Sequence, residues 1–132
     1  MLNPREKNIK MKTIFITGAT SGIGKATAET FAKQGHRLII CGRRKEVLEQ
    51  LQIELSNITE VYSLVFDVRN QEEVENAINS LPEEWKNIDV LVNNAGNAHG
   101  LESISEGNIA DWDAMMDGNV KGLLYVSQPI IK

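Results

Sequence analysis

Four short runs rich in β-branched and aromatic residues punctuate this chain, and after each come apolar side chains recurring at helical spacing. The runs are "TIFIT" (Thr13 to Thr17), "RLIIC" (Arg37 to Cys41), "VYSLVF" (Val61 to Phe66) and "IDVLVNNAG" (Ile88 to Gly96). After the first, Ile23, Thr27, Phe31 and the alanines between them form a stripe that stops at Gly35, a residue suited to a helix C-terminus. Val47, Leu48, Leu51 and Leu55 mark one face of a second helix. Asn70, with Glu73 three residues on, reads as a capping box opening a third helix, which carries Val74, Ala77, Ile78 and Leu81 and ends before Pro82. A polar loop from Asn97 to Ala110 leads to a fourth, with Asp111 as candidate cap and Trp112, Met116, Val120, Leu123 and Leu124 as its inner face. Strands alternating with helices pair in parallel through right-handed crossovers, so the expected fold is α/β, a doubly wound parallel sheet with helices on both faces.

In such a sheet, ligands bind at the C-terminal ends of the strands, and that is where the stretch "TGATSGIG" (Thr17 to Gly24) falls, directly after strand 1. Gly18 permits a sharp turn. Gly22 removes a side chain where backbone must approach a pyrophosphate, and Gly24 allows close packing of helix 1. The first-turn amides of that helix supply the donors a phosphate needs. The spacing is G-x-x-x-G-x-G rather than G-x-G-x-x-G, a variant phosphate loop; on its own it is also compatible with a plain strand-to-helix turn.

Taken with "NNAG" (Asn93 to Gly96), the loop resembles the short-chain dehydrogenase/reductase family, whose nucleotide loop and fourth-strand motif it matches position by position. "SLPEEWKNIDVLVNNAG" (Ser80 to Gly96) and "DWDAMMDGNVKG" (Asp111 to Gly122) are most similar to the branch containing NADP-dependent 3-hydroxy acid and serine dehydrogenases. The resemblance covers the chain from Lys12 onward but only the first half of a typical member. It implies a Rossmann-like sheet truncated after the fourth strand and fourth helix, with residues 1–12 a flexible leader and 13–132 the N-terminal part of a dinucleotide-binding domain.

A site that prefers NAD places an acid about 20 residues beyond the last loop glycine, to hold the ribose 2′-hydroxyl. Here the region reads "CGRRKE", with Gly42 in the acid's place and Arg43 and Arg44 next. Guanidinium forks suit a 2′-phosphate, so the expected cofactor is NADP; the plainer alternative is two solvated arginines at a helix start. The resemblance further implies that Thr17, Gly18, Thr20, Ser21, Gly22, Ile23 and Gly24 cradle the cofactor. It places Asp67 and Val68 at the adenine, with the Asp carboxylate accepting from the exocyclic amine, Asn94 beside the ribose, and Ala95 and Gly96 also at the cofactor. Asp67 could equally be a helix-start acid, and Asn93 and Asn94 could simply tie the turn after strand 4. Asn119, an amide within an apolar helix that must satisfy its hydrogen bonds internally, matches the family's catalytic-helix asparagine, which helps hold a water of the proton relay.

The acid of the family's reaction is a tyrosine with a lysine four residues on. Neither Tyr62 nor Tyr125 begins such a motif, because Tyr125 is followed four residues later by Pro129, and Ser127 does not match the catalytic serine. The expected activity is therefore that of an NADP-dependent oxidoreductase moving hydride between nicotinamide and a small alcohol or carbonyl substrate, such as a 3-hydroxy acid, with these 132 residues alone inactive. The competing readings are a non-catalytic nucleotide-binding or interaction module and a Rossmann-like epimerase or methyltransferase. A net charge of −4 argues against a nucleic-acid surface, and no apolar run reaches the roughly 18 residues of a membrane span. One cysteine, Cys41, cannot form an internal disulfide and reads as core packing, which fits the cytoplasm. His36 opens strand 2 away from the cofactor end, and His99 reads as a solvated loop residue; neither suggests a metal. An uncovered edge on strand 4 and the apolar Leu123 to Val126 segment lead to the expectation of a homo-oligomer.

Overall fold

The computed structural model describes residues 10–20, 22–95 and 107–131. Strands β1 (Thr13–Ile16), β2 (Arg37–Gly42), β3 (Val61–Val65) and β4 (Val90–Val92) form one sheet in the order β3-β2-β1-β4. All pairings are parallel, with Phe15 opposite both Ile39 and Leu91, and Cys41 opposite Leu64. The helices are α1 (Gly22–Lys33), α2 (Lys45–Ser56), α3 (Gln71–Asn79), α4 (Ile109–Met116) and α5 (Gly122–Ile131).

Side chains alternate across a strand, and both faces of β1 and β2 are buried, as a parallel sheet between helices requires. Ile14, Ile16, Leu38 and Ile40 pack with Ala28 and Ala32 of α1 and Leu48, Leu51 and Leu55 of α2. Phe15, Ile39 and Cys41 face the other way, onto Val74 and Ile78 of α3 and Val126 of α5. Each fully buried branched or aromatic side chain contributes about 2 kcal/mol. The chain thus builds outward from β1 to β3 over one face, then returns beneath the other face to β4. The reversal puts a crevice at the C-terminal ends of β1 and β4.

Local chemistry sets the element ends. Gly35 (φ 87°) closes α1: its N–H donates to Ala32 O and that of His36 to Phe31 O, both pairs of a Schellman motif, with the His36 and Phe31 rings edge-on at 6.0 Å. The Asn70 side chain accepts from the Glu73 N–H at 3.1 Å, as its position before α3 predicts.

Four expectations change. The inner face of α1 is Gly24, Ala28 and Ala32, whereas Ile23 is 77 % exposed: small residues let the helix close on the sheet, and Ile23 lies at the open end of the loop. Strand β4 is shorter than Ile88 to Gly96, because Asn93 and Asn94 direct their hydrogen bonds to side chains and to the loop beyond β1. Lys12 belongs to the folded unit rather than to a leader, its carbonyl accepting from Arg37 N–H and its N–H donating to His36 Nδ1. The cap of α4 is Asn108, whose side chain accepts from Ala110 N–H at 2.7 Å; Asp111 lies inside the helix.

The last helical stretch is also broken. A π-helical turn, Asp117–Lys121, separates α4 from α5. One extra residue per turn rotates the succeeding helix by about 100°. Val126 and Gly122 accordingly face inward, while Met116, Val120, Leu123 and Leu124 are exposed.

Candidate functional site

Two segments meet at the crevice: the glycine loop after β1 and the turn after β4. Thr17 joins them. Its Oγ1 accepts from the N–H groups of Asn94 and Ala95, both at 3.0 Å, and its own N–H donates to Val92 O. Both lone pairs of the hydroxyl are then occupied, and the residue is fully buried. Thr17 therefore builds the site from behind and does not face a ligand, a correction to its expected cofactor contact.

Gly18 (φ 62°) makes the turn, with the Asn94 Nδ2 donating to its carbonyl at 3.1 Å. A Cβ on Gly18 would stand 3.0 Å from the Ala95 backbone, and one on Gly24 only 2.0 Å from Gly18 O. Gly24 thus lets the first turn of α1 rest on the loop itself, a closer contact than with the sheet. Gly22 differs: its φ is 59° and a Cβ there would meet nothing within 4 Å. Glycine is needed here for conformation, and the space it faces is open. Ala19 N–H donates to Cys41 O, fixing the loop against β2. Ser21 and Gly96, both expected at the cofactor, lie outside the described residues, as does His99.

The end of β2 lies against this loop. A Cβ on Gly42 would be 3.0 Å from the Thr20 methyl, so a longer side chain enters only if Thr20 yields. Arg44 Nη2 lies 3.4 Å from Thr20 Oγ1, a long contact. Arg43 and Arg44 are exposed, and among the described residues neither is ion-paired with a carboxylate.

At the end of β3, Asp67 meets a partner that sequence reasoning missed. Arg69 grips its carboxylate through Nε and Nη2, the latter at 2.8 Å from Oδ2, and the Arg69 N–H donates to Oδ1 at 2.9 Å. These side-chain hydrogen bonds, outweighing partial burial and helped by the charges of Arg69 and Arg43, hold the Asp67 carboxyl below its ordinary range. An acid and a guanidinium two residues apart across a strand-to-helix turn was the available signal. Val68, beside them, is covered by α5: a Cβ on Gly122 would lie 2.8 Å from Val68 Cγ2.

Asn119 stands in the π-helical turn and is exposed. Such turns place a side chain off the regular helical face. Ser127 has a structural role: it accepts from Asn93 Nδ2 at 2.9 Å and donates to Leu123 O, anchoring the β4 turn to α5. Cys41 is buried in the core, where desolvation raises its thiol pKa well above the ordinary value. His36 is likewise a packed, hydrogen-bonded residue at the opposite end of the sheet.

The geometry is a glycine-lined crevice backed by a buried threonine, bordered by two exposed arginines and a clamped aspartate. Comparison with known proteins agrees. The family model for short chain dehydrogenases matches residues 12–132. An NADP-dependent 3-hydroxy acid dehydrogenase, YdfG of Escherichia coli O6:H1, is 44 % identical over 118 residues, covering 89 % of this chain and 47 % of that protein. Serine 3-dehydrogenase of Rhizobium radiobacter is 43 % identical over 119 residues, covering 90 % and 47 %. The closed form of a serine dehydrogenase complexed with NADP+ superposes with a TM-score of 0.83 at 43 % identity, over 90 % of this chain and 47 % of that one. The chain spans about half the length of these relatives. With the family model matching residues 12–132, the chain belongs to the short-chain dehydrogenase family.

Proposed function

We propose that these residues form the NADP-binding half of an oxidoreductase that moves hydride between nicotinamide and a small hydroxy or keto substrate, of the 3-hydroxy acid class. The observation that carries the reading is Gly42 at the tip of β2, beside a loop that is open at Gly22 and followed by two exposed arginines that pair with no carboxylate among the described residues. The residues fit the group. The N–H groups of Gly22 and Ile23 at the start of α1 would meet its pyrophosphate, and Arg43 and Arg44 its 2′-phosphate. Asp67 and Val68 would border the adenine, and Asn94 and Ala95 the ribose. NADP supplies the hydride acceptor of an alcohol oxidation, or as NADPH the donor of a carbonyl reduction.

This chain's own residues position and exclude; the general acid is another matter. Neither tyrosine within these 132 residues has a lysine four positions on. A polypeptide of these residues is therefore expected to bind NADP without turning over substrate. A second reading is a nucleotide-binding or interaction module without chemistry. The exposed Ile109, Val120, Leu124 and Ile131 along α4, the π-helical turn and α5 support association with further protein, a second copy of the chain first among candidates. A cytoplasmic setting accords with the single reduced, buried cysteine.

Calorimetric titration with NADP(H) and NAD(H), repeated on Arg43→Ala, tests the proposal. Selective NADP binding that weakens in the variant supports it. Equal binding of both nucleotides, or of neither by a folded sample, overturns it. Oxidation of a 3-hydroxy acid by the 132-residue polypeptide would overturn the expected lack of turnover.

A further inference from the structure

The turn after β4 is held from both faces of the sheet, by two consecutive asparagines. Side chains alternate along extended backbone, so Asn93 and Asn94 leave the chain in opposite directions. Asn94 turns to the glycine loop: its Nδ2 donates to Gly18 O at 3.1 Å, and its N–H and that of Ala95 donate to Thr17 Oγ1. Asn93 turns to α5, where its Nδ2 donates to Ser127 Oγ at 2.9 Å. The Ser127 hydroxyl gives its own proton to Leu123 O at 2.7 Å. An oxygen whose proton is committed to the helix carbonyl can only accept, so the Asn93 amide must present Nδ2 and has one orientation.

This tether matters because the ladder at β4 is slight. The strand is three residues long, none of them fully buried, and among the described residues it pairs only with β1. The same helix braces the neighbouring strand end, where the missing side chain of Gly122 lets α5 close on Val68. One helix therefore supports the turns after both β3 and β4. Its phase follows from the π-helical turn Asp117–Lys121 just before it, which leaves Gly122 and Val126 inward and Ser127 at Asn93. The hydroxyl adds nothing to α5 as a helix, since alanine is the better helix former. What it adds is the link to the β4 turn.

We propose that Ser127 is a positioning residue for the cofactor site, holding the β4 turn through Asn93 so that Asn94 and Ala95 are in place before a nucleotide arrives. The inference rests on the reading that Asn94 and Ala95 border bound NADP. Without the link the turn keeps its tethers to Thr17 and Gly18 but loses the one from the opposite face. Binding must then order a segment that the native chain already holds, and affinity falls by the cost of that ordering.

The test is calorimetric titration of the full 132-residue chain with NADP, beside urea unfolding of each variant. Ser127→Ala should bind NADP about fivefold more weakly, the worth of one neutral hydrogen bond, while its stability changes little because alanine favours the helix. Ser127→Thr keeps the hydroxyl and should bind as the native chain does. Asn93→Ala should lose as much as Ser127→Ala, and the double variant no more than either. Ser63→Ala is the matched control: Ser63 Oγ donates to Gln52 Oε1 at 2.8 Å, tying β3 to α2 away from this turn, so its loss should leave NADP affinity unchanged. Native affinity in Ser127→Ala overturns the inference and leaves the cofactor reading intact. So do an equal loss in Ser127→Thr or in Ser63→Ala, and additive losses in the double variant. Failure of the folded native chain to bind NADP overturns both.

Discussion

The two ends of the sheet treat their cations in opposite ways. At the N-terminal end, Arg37 donates through Nε to Thr13 Oγ1 and through Nη2 to the Glu84 carbonyl. It also pairs with Glu60 at 3.6 Å and lies over the Trp85 ring at 4.1 Å. Its side chain is only 14 % exposed. Around it, Asp89 accepts from Thr13 N–H, His36 accepts from Lys12 N–H, and Trp85 packs on Tyr62 at 5.5 Å. At the C-terminal end, Arg43 and Arg44 follow Gly42 at the tip of β2, beside the glycine loop, and are exposed. Both ends grow from the same strands. Where long side chains close on each other the end is sealed, and where glycines replace them the cations are left exposed.

The largest effect should come from joining the two designs, by adding a side chain where the open end has none. Gly24→Ala places a Cβ 2.0 Å from Gly18 O and 2.5 Å from Asn94 Nδ2. It should destabilise by about 3 kcal/mol or more, read as a lower urea midpoint with unchanged slope. Retained stability would mean that α1 can part from the loop, and that close approach is not what the glycine serves. Next in size is Arg37→Ala, which removes charged hydrogen bonds and a stacked cation from the sealed end. It should lose about 2–3 kcal/mol, while the fraction still folded binds NADP as tightly as the native chain. A change in affinity would show that the two ends are coupled.

Arg43→Ala is the mirror experiment. An exposed cation should leave stability within about 0.5 kcal/mol, while NADP affinity falls by about tenfold. If stability falls and affinity does not, Arg43 behaves like Arg37, and the distinction between the ends fails.

Legibility in the sequence follows the same division. Gly18, Gly22 and Gly24 could be placed because a tight turn after a strand is a local matter, and their distinct demands follow from chain geometry. The strand alternation could be read because burial on both faces makes each run almost wholly apolar. The inner face of α5 could not, since the π-helical turn at Asp117–Lys121 shifts the helical phase and nothing in the spacing of Val120, Leu123 and Leu124 announces it. Whether the Thr17 hydroxyl, which the family resemblance places at the cofactor, faces in or out depends on where the Asn94 and Ala95 amides arrive, a contact made from 77 and 78 residues away. The pairing of Arg69 with Asp67 depends on the turn geometry that folds the arginine back onto the carboxylate.

The smallest effect concerns the Asp67–Arg69 pair and depends on pH. The Arg69 guanidinium lowers the folded carboxyl pKa below its ordinary 3.8, so the folded state favours the ionised form. Its contribution to stability is then fully present above the unfolded value near 3.8 and disappears as pH falls through the lower folded value. Asp67→Asn should therefore be less stable than the native chain at pH 6, by no more than about 1 kcal/mol for so exposed a pair. The gap should close as pH is lowered below 4, where native Asp67 also becomes neutral. Urea titrations of both chains at several pH values provide the check. A gap constant with pH would mean that the charge of Asp67 is not what separates it from the amide, and a gap that widened toward low pH would contradict the clamp. Either result would move Asp67 toward the sealed type of residue, whose polar groups serve the fold and not a ligand.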